Sequence, residues 1–209
     1  REGENLIRQE REIRDYSSYN AVLGAIASGA TDLGEISNQA HVEKPTVLHC
    51  LDRLQQLGWM EHEKPFEEPE RRGVYRLKDN FLKSWYRFVF KMRSALQVAR
   101  PEAAWAALVE PDLDNYMGQQ VFEGICVEHL ARFAPVYGLP LIMAMGRWWS
   151  RGGETELDLV ARLSDHSYLF AECKWAHSPI DADELGRLKQ KVERVPHSQW
   201  KRAPRYALF

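Results

Sequence analysis

The sequence predicts a two-domain fold of mixed α+β and α/β class, and two patterns of apolar residues carry that prediction. In residues 17–78, three segments with apolar residues at helical spacing precede two short strand-like segments. In residues 112–209, the predicted order is helix, three strands, helix and strand. The two kinds of element are distinguishable because apolar side chains recur about every 3.6 residues in helices and every second residue in strands. Residues 1–16 form a charged lead-in, and residues 79–111 are predicted linker helices.

The first predicted domain begins with three short helices. The first helix ends at Gly29, and Thr31 or Asp32 can cap the second. A third helix is expected from about Pro45 to Leu57, because proline suits the first turn of a helix. The apolar positions of this third helix form one stripe, which is predicted to be buried: Val47, Leu48, Leu51, Leu54 and Leu57.

A predicted β-hairpin follows the third helix. Trp59 and Met60 begin one strand, the polar segment PFEEPERRG forms a loop, and residues 74–77 form the second strand. Three short helices and a hairpin, with LDRLQQLGWM at their junction, resemble the winged helix-turn-helix family over residues 17–78. The resemblance implies a domain that binds DNA or docks a protein.

The third helix and the hairpin loop supply the candidate nucleic-acid contacts. In this family the base contacts come from the N-terminal part of the recognition helix. The predicted nucleic-acid-binding residues are Lys44, Thr46, His49, Arg53, Arg71 and Arg72. The hairpin also carries carboxylates, which repel phosphates: Glu61, Glu63, Glu67, Glu68 and Glu70. DNA and a protein both stay open as partners of this domain.

Composition and charge exclude several classes of protein. The 209 residues are 44% hydrophobic and 28% charged, which is typical of a globular domain and not of a disordered chain. No segment reaches the roughly 18 apolar residues of a membrane span, so no membrane partner is expected. Residues 1–80 carry a net charge of −4 and residues 81–209 a net charge of +2, so neither shows the positive excess of avid nucleic-acid binders. Three separated cysteines without a CxxC motif favour the cytoplasm.

The second predicted domain holds the residues that suggest chemistry. Asp158 interrupts an apolar strand, and Glu172 and Lys174 flank Cys173 on the next strand, so their side chains leave the same face of the sheet. Upstream, Glu123 lies on the apolar stripe of its helix, where an uncompensated carboxylate is costly. The carboxylate oxygens of Asp158 and Glu172 are ligands that Mg²⁺ or Mn²⁺ accepts, and Lys174 is placed to stabilise charge on a phosphate.

This ordered set, with ELDLVA before AECKW, resembles the PD-(D/E)XK nuclease superfamily over residues 112–209. The resemblance implies a restriction-endonuclease-like α-β-β-β-α-β domain. It implies that the catalytic residues are Glu123, Asp158, Glu172 and Lys174, with the metal ion on Asp158 and Glu172. It also implies a further partner on the following helix, for which the candidates are Lys189, Gln190 and Lys191. The residues leave open whether such a domain is a Mg²⁺-dependent endonuclease, an inactive scaffold or a set of structural ion pairs.

The metal site sets a condition on the pairing of two strands. A plain hairpin with residues 164–167 as its loop places Asp158 opposite Cys173, on the wrong side of the sheet. Asp158 and Glu172 can share an ion only if the loop has an odd number of residues or a β-bulge lies near the site.

The arrangement of the whole chain has its own resemblance. A winged helix, the stretch DNFLKSWYRFVF and a nuclease-like domain resemble the C-terminal part of archaeal-type AAA ATPases. The chain has no GxxxxGK[ST] motif, so the resemblance implies that ATP binds only to a domain upstream of Arg1. It implies that this ATPase domain is a partner within the same protein, and no cofactor-binding residue is expected in the chain itself. The aromatic helix over residues 81–92 is a candidate surface for homo-oligomers.

Overall fold

A computed structural model describes residue 13 and residues 15–209 of the chain, so the lead-in predicted for residues 1–16 falls largely outside the described part. The chain divides into two compact units. The first comprises the described residues up to Glu63 together with Arg72–Asp112, and the second comprises Lys64–Arg71 and Leu113–Phe209. The predicted mixed α+β class is confirmed. In the described part, no helix combines the length and the apolar character of a membrane span.

Three helices and a hairpin form the core of the first unit. Their bounds are α1 Tyr16–Ala27, α2 Leu33–Ala40, α3 Lys44–Gln56, β1 Met60–Glu63 and β2 Val74–Leu77. Strands β1 and β2 pair antiparallel, with Met60 opposite Leu77. Asp32 caps α2 as predicted, because its carboxylate accepts hydrogen bonds from the backbone N–H groups of Gly34 and Glu35.

The linker that follows is not one continuous helix. Its helices are α4 Asn80–Ser84, α5 Arg93–Val98, α6 Pro101–Ala104 and α7 Glu110–Tyr116. A π-helical turn at Trp85–Val89 and a short 3₁₀ turn at Phe90–Met92 interrupt the aromatic helix predicted over residues 81–92. A five-residue π turn rotates the side chains away from the α-helical repeat, which a periodicity argument does not detect.

The second unit contains a four-stranded sheet between two long helices. Its elements are α8 Glu123–Phe133, β3 Ile142–Trp149, β4 Glu156–Leu163, β5 Tyr168–Glu172, α9 Ala182–Arg194 and β6 Arg205–Leu208. The strand order is β3-β4-β5-β6. The first two pairings are antiparallel, and β5 and β6 are parallel because α9 forms the crossover between them. The predicted order of helix, three strands, helix and strand is the observed one.

Each face of this sheet buries its own apolar cluster. On the face toward α8, Leu130 packs against alternate residues of β4 and β5: Leu159, Ala161, Leu163, Leu169 and Ala171. On the face toward α9, the cluster contains Leu157, Val160, Phe170, Leu188, Val192 and Trp200. Both strands are therefore buried on both sides, which is why their sequences are nearly continuous apolar runs.

The turn between β4 and β5 has an odd number of residues. The N–H of Leu163 donates to the carbonyl of Ser167 at 2.9 Å, which leaves Ser164, Asp165 and His166 as a three-residue loop. His166 adopts a left-handed conformation with φ of 63°, and the Asp165 carboxylate accepts from the N–H of Ser167 at 3.0 Å. Three-residue hairpin loops commonly end in such a left-handed residue.

Replacing His166 with glycine is expected to raise the free energy of unfolding of the second unit by about 1 kcal/mol, because a left-handed conformation strains a residue that has a Cβ. Chemical denaturation measures the change. Ser164→Gly is the matched control, since it adds only flexibility to the unfolded chain and lowers stability slightly. A His166→Gly protein that is less stable than the wild type contradicts this assignment of the loop.

Candidate functional site

The hairpin register brings the predicted carboxylates of β4 and β5 level with each other. Leu159 pairs with Ala171, so the next position on each strand is Asp158 and Glu172. A β-bulge lies at the same place, since Gly146 pairs with Val160 but Trp148 pairs with Leu157. The odd-numbered loop alone meets the condition for a shared site, because the bulge lies in the pairing of β4 with β3 and leaves the β4–β5 register regular. Bulges often redirect side chains beside active sites.

Glu172 is the centre of the cluster. Its side chain is only 6% exposed, and its two oxygens accept hydrogen bonds from Nζ of Lys191 at 2.7 and 2.8 Å. Nζ of Lys174 lies 3.1 Å from Oε1 of the same carboxylate. Of the three helix residues considered as further partners, the one that reaches the site is therefore Lys191.

Asp158 lies beside this ion-paired carboxylate. Its Oδ2 accepts a hydrogen bond from the backbone N–H of Cys173 at 2.7 Å. Burial raises the pKa of Asp158, and the negative charge of Glu172 raises it further, which outweighs the opposing effect of the Cys173 hydrogen bond. Ionisation of this carboxylate is therefore less favourable in the folded protein than in water, a property that recurs at functional sites.

Glu123 joins the cluster through an arginine. Oε2 of Glu123 lies 3.3 Å from Nε of Arg147, and Arg147 also forms an ion pair with Glu156. The positive charge of Arg147 acts on Asp158 as well. Arg147 lies opposite the bulge of β4. Arg147 was not among the residues predicted from the sequence, although an arginine within the apolar strand LIMAMGRWW was the signal that could have identified it.

The chemical type of the donor groups suits a divalent cation. Asp158 and Glu172 offer carboxylate oxygens, which Mg²⁺ and Mn²⁺ prefer, and a cation beside Asp158 would oppose the effect of burial on its pKa. Lys191 already neutralises Glu172 and would compete with a metal ion for the same oxygens. Among residue 13 and residues 15–209, no group of three or more His, Cys, Asp or Glu side chains is arranged to hold a metal ion.

The predicted nucleic-acid contacts on α3 differ in exposure. Lys44 and His49 are exposed in the N-terminal half of the helix, and Thr46 is half-buried. Arg53 is half-buried near the C-terminal end, where its guanidinium donates to Oε1 of Gln56 at 3.0 Å. The buried stripe contains Val47, Leu51 and Leu54, but the prediction that it includes Leu48 is wrong, because this side chain is 46% exposed.

The two arginines of the hairpin loop, Arg71 and Arg72, also have different surroundings. Arg71 is held within the second unit, since its guanidinium donates to Glu68 at 2.8 Å and to the carbonyl of Trp149 at 2.7 Å. Arg72 belongs to the first unit and is exposed, with Asp32 at 3.7 Å. A phosphate can reach Arg72 directly, whereas Arg71 would first have to break two hydrogen bonds.

The acidic loop 64–71 is anchored by aromatic donors of the second unit. Oε2 of Glu67 accepts from the Tyr168 hydroxyl and the Trp200 indole N–H, each at 3.1 Å. Oε1 of Glu68 accepts from the Trp148 indole N–H at 2.6 Å and lies 2.8 Å from Nε2 of His197. Burial opposes the ionisation of Glu68, but hydrogen bonds from His197, Trp148 and Arg71 outweigh it and lower the pKa of Glu68. Two of the carboxylates that suggested repulsion of phosphates, Glu67 and Glu68, are thus used as internal acceptors.

The geometry defines a two-unit α+β protein with a helix-turn-helix-like first unit and a carboxylate–lysine cluster in the second. The chain belongs to the DUF234 family, described as archaeal and bacterial proteins of unknown function, whose sequence pattern matches residues 85–191. An uncharacterized protein of Methanocaldococcus jannaschii is 32% identical over 168 residues, which cover 78% of this chain and 37% of that protein. The chain therefore spans little more than a third of this relative's length.

Two solved structures with a limited structural likeness are MarR family proteins. NMB1585, a MarR family regulator from Neisseria meningitidis, is 18% identical and has a TM-score of 0.30, covering 65% of this chain and 83% of that one. ZitR, a zinc-responsive MarR family member from Lactococcus lactis, is 12% identical and has a TM-score of 0.31, covering 61% of this chain and 80% of that one. TM-scores of this size do not establish a shared fold.

Proposed function

We propose that the chain is a DNA-binding module in which the first unit contacts duplex DNA through α3. The observation that carries this proposal is the surface of α3: Lys44, Leu48 and His49 are exposed while the opposite stripe is buried. A helix needs such a free N-terminal half to enter the major groove. Lysine and histidine can bond base edges or phosphates, and an exposed leucine can contact a thymine methyl group.

The charge of α3 predicts modest affinity. The helix carries Lys44 and Arg53 against Asp52, and exposed Arg72 adds one positive charge outside it. Counterion release supplies most of the non-specific affinity for DNA. With only these few positively charged side chains, we expect binding to be detectable mainly at low salt.

Replacing Lys44 with alanine is expected to weaken duplex binding about tenfold, because one charge-assisted contact to DNA is lost. An electrophoretic shift with a labelled duplex at low salt measures the change. Lys201→Ala is the matched control, since it removes one positive charge from the second unit, where the Lys201 ammonium donates to the carbonyl of Glu193. If the wild type shifts no duplex at low salt, docking of a protein replaces DNA as the function of α3.

A second candidate function is metal-dependent hydrolysis of a phosphodiester by the second unit. The observation that favours it is the position of Asp158 and Glu172 one step beyond the Leu159–Ala171 pair, with the Lys174 ammonium 3.1 Å from the Glu172 carboxylate. Asp158 and Glu172 would hold the ion, which would polarise the phosphate and lower the pKa of a bound water. Lys174 would stabilise the charge that develops on the phosphate, and Glu123 would keep Arg147 in position. An inactive scaffold with the same fold is the alternative outcome.

Replacing Asp158 with asparagine is expected to abolish Mn²⁺ binding, as calorimetry would show, and to stabilise the folded second unit at neutral pH. The folded pKa of Asp158 is raised, so its contribution to stability is lost as the pH rises through that pKa, and an uncharged amide removes the penalty. Asp183→Asn, at an exposed carboxylate in the first turn of α9, is the matched control. An Asp158→Asn protein that keeps Mn²⁺ binding contradicts the metal assignment.

The upstream ATPase domain, homo-oligomers and the cytoplasmic location stay predictions. They rest on the stretch DNFLKSWYRFVF and on the cysteine pattern of the sequence. Light scattering of the chain tests the oligomeric state independently of DNA and metal.

A further inference from the structure

Trp175 is an exposed aromatic residue whose ring is held in place by its neighbours. It is 42% exposed, yet its indole N–H donates to Oδ1 of Asp114 at 2.9 Å. Its ring meets the ring of Phe122 edge to face, with the two centroids 5.5 Å apart. Because these contacts already restrict the side chain, a ligand that stacks on the indole loses little affinity to ordering it.

The acceptor of this hydrogen bond is itself fixed. Oδ2 of Asp114 lies 2.8 Å from Nε2 of His177. Hydrogen bonds from Trp175 and His177 lower the pKa of Asp114, so the carboxylate stays ionised at neutral pH and remains a strong acceptor. Both of its oxygens therefore bind the segment that follows β5 to α7.

The indole also lies beside the carboxylate–lysine cluster. Trp175 directly follows Lys174, whose ammonium is 3.1 Å from Oε1 of Glu172, and its ring partner Phe122 directly precedes Glu123. The Lys174 side chain is itself 40% exposed. A cation that can meet a phosphate and an aromatic surface that can meet a base thus occur on consecutive residues.

We propose that Trp175 stacks on an unpaired base of single-stranded DNA, whose adjoining phosphate meets Lys174. In naming a substrate class, this inference rests on the second candidate function. An indole ring can stack on any base, whereas the bases of a duplex are covered by their neighbours. A single strand therefore suits this surface, and duplex DNA remains the ligand proposed for α3.

Binding of fluorescein-labelled oligothymidine to the intact chain tests the proposal, by anisotropy at low salt without divalent metal. We expect Trp175→Ala to weaken binding about tenfold, and Trp175→Phe to weaken it by less than about threefold, because a phenyl ring still stacks. Trp105→Ala is the matched control, since Trp105 is 50% exposed and lies in the first unit, and it should leave binding unchanged. Trp175→Ala should also leave the affinity for a duplex unchanged.

A second ligand separates stacking from charge. An abasic oligomer of the same length keeps the phosphates but has no bases, so we expect the wild type and Trp175→Ala to bind it equally weakly. The stacking site is overturned if the wild type binds no oligothymidine, if Trp175→Ala binds it as tightly as the wild type, or if the abasic oligomer binds as tightly as oligothymidine. Cleavage is measured separately with Mn²⁺. A strand that binds through Trp175 but stays intact overturns the second candidate function and the substrate class, and not the stacking.

Discussion

Replacing Trp200 with alanine is expected to lower the free energy of unfolding of the second unit by about 4 kcal/mol, the range typical of large aromatic residues in a core. Trp200 is fully buried and packs against the rings of Phe66, Tyr168 and Phe170. Its indole N–H also donates to Glu67. The substitution therefore leaves a large cavity and removes a hydrogen bond from a carboxylate of the loop.

Urea unfolding followed by circular dichroism measures this effect, and hydrogen exchange assigns it to the second unit. Trp175→Ala is the control, because Trp175 is partly exposed and contacts Asp114 at the surface. This substitution is expected to lower the free energy of unfolding by about 1 kcal/mol or less. A Trp200→Ala protein that loses no more stability than Trp175→Ala contradicts the assignment of loop 64–71 to this core.

The Trp200 result bears on the function of the hairpin loop. In the sequence, residues 64–71 resemble the loop of a DNA-binding wing. In the structure, Phe66 belongs to the core of the second unit, and its N–H donates to the carbonyl of Arg147 at 2.7 Å. Glu67 and Glu68 are bonded there as well. We therefore propose that DNA contacts α3 and Arg72, and that this loop has a structural function.

Replacing Lys191 with methionine is expected to lower the free energy of unfolding of the second unit by about 2 kcal/mol. Removing one partner of a buried ion pair leaves the other charge uncompensated, and Glu172 would keep only Lys174. The cost falls below that of a fully buried pair because the Lys191 side chain is itself partly exposed. Methionine preserves most of the volume, so the change isolates the charge.

The same variant separates a metal site from an ion-pair cluster. If Lys191 competes with a divalent cation for Glu172, excess Mn²⁺ should raise the Tm of Lys191→Met more than that of the wild type. Lys189→Met is the control, since Lys189 lies on the same helix over the ring of Tyr206. Equal or absent Mn²⁺ shifts in Lys191→Met and wild type contradict the second candidate function and favour a scaffold.

Periodicity predicted the elements of both units because apolar side chains must face a core. The face shared by Glu172 and Lys174 followed from the two-residue repeat of a strand. The pairing of Asp158 with Glu172 did not follow, because it depends on a three-residue loop with a left-handed His166, which has no reliable signal in one sequence. For the further partner on the helix, the sequence offered Lys189, Gln190 and Lys191 as equal candidates. Only the structure shows that Lys191 contacts Glu172.

Other features depend on long-range packing that a sequence pattern does not report. Leu48 occupies an apolar position of α3, but no neighbouring element covers it. Arg71 was assigned to DNA because it is a cation in a loop, whereas Glu68 and the Trp149 carbonyl hold it.

The central claim, that α3 binds duplex DNA, is tested most directly by the salt dependence of binding. Fluorescence anisotropy of a labelled duplex is measured over a range of salt concentrations for the wild type, Lys44→Ala and Lys201→Ala. The account predicts a negative log–log slope between about −1 and −4 for the wild type, reduced in size by about 1 in Lys44→Ala and unchanged in Lys201→Ala. A wild-type protein that binds no duplex at low salt, or a slope that Lys44→Ala leaves unchanged, contradicts it.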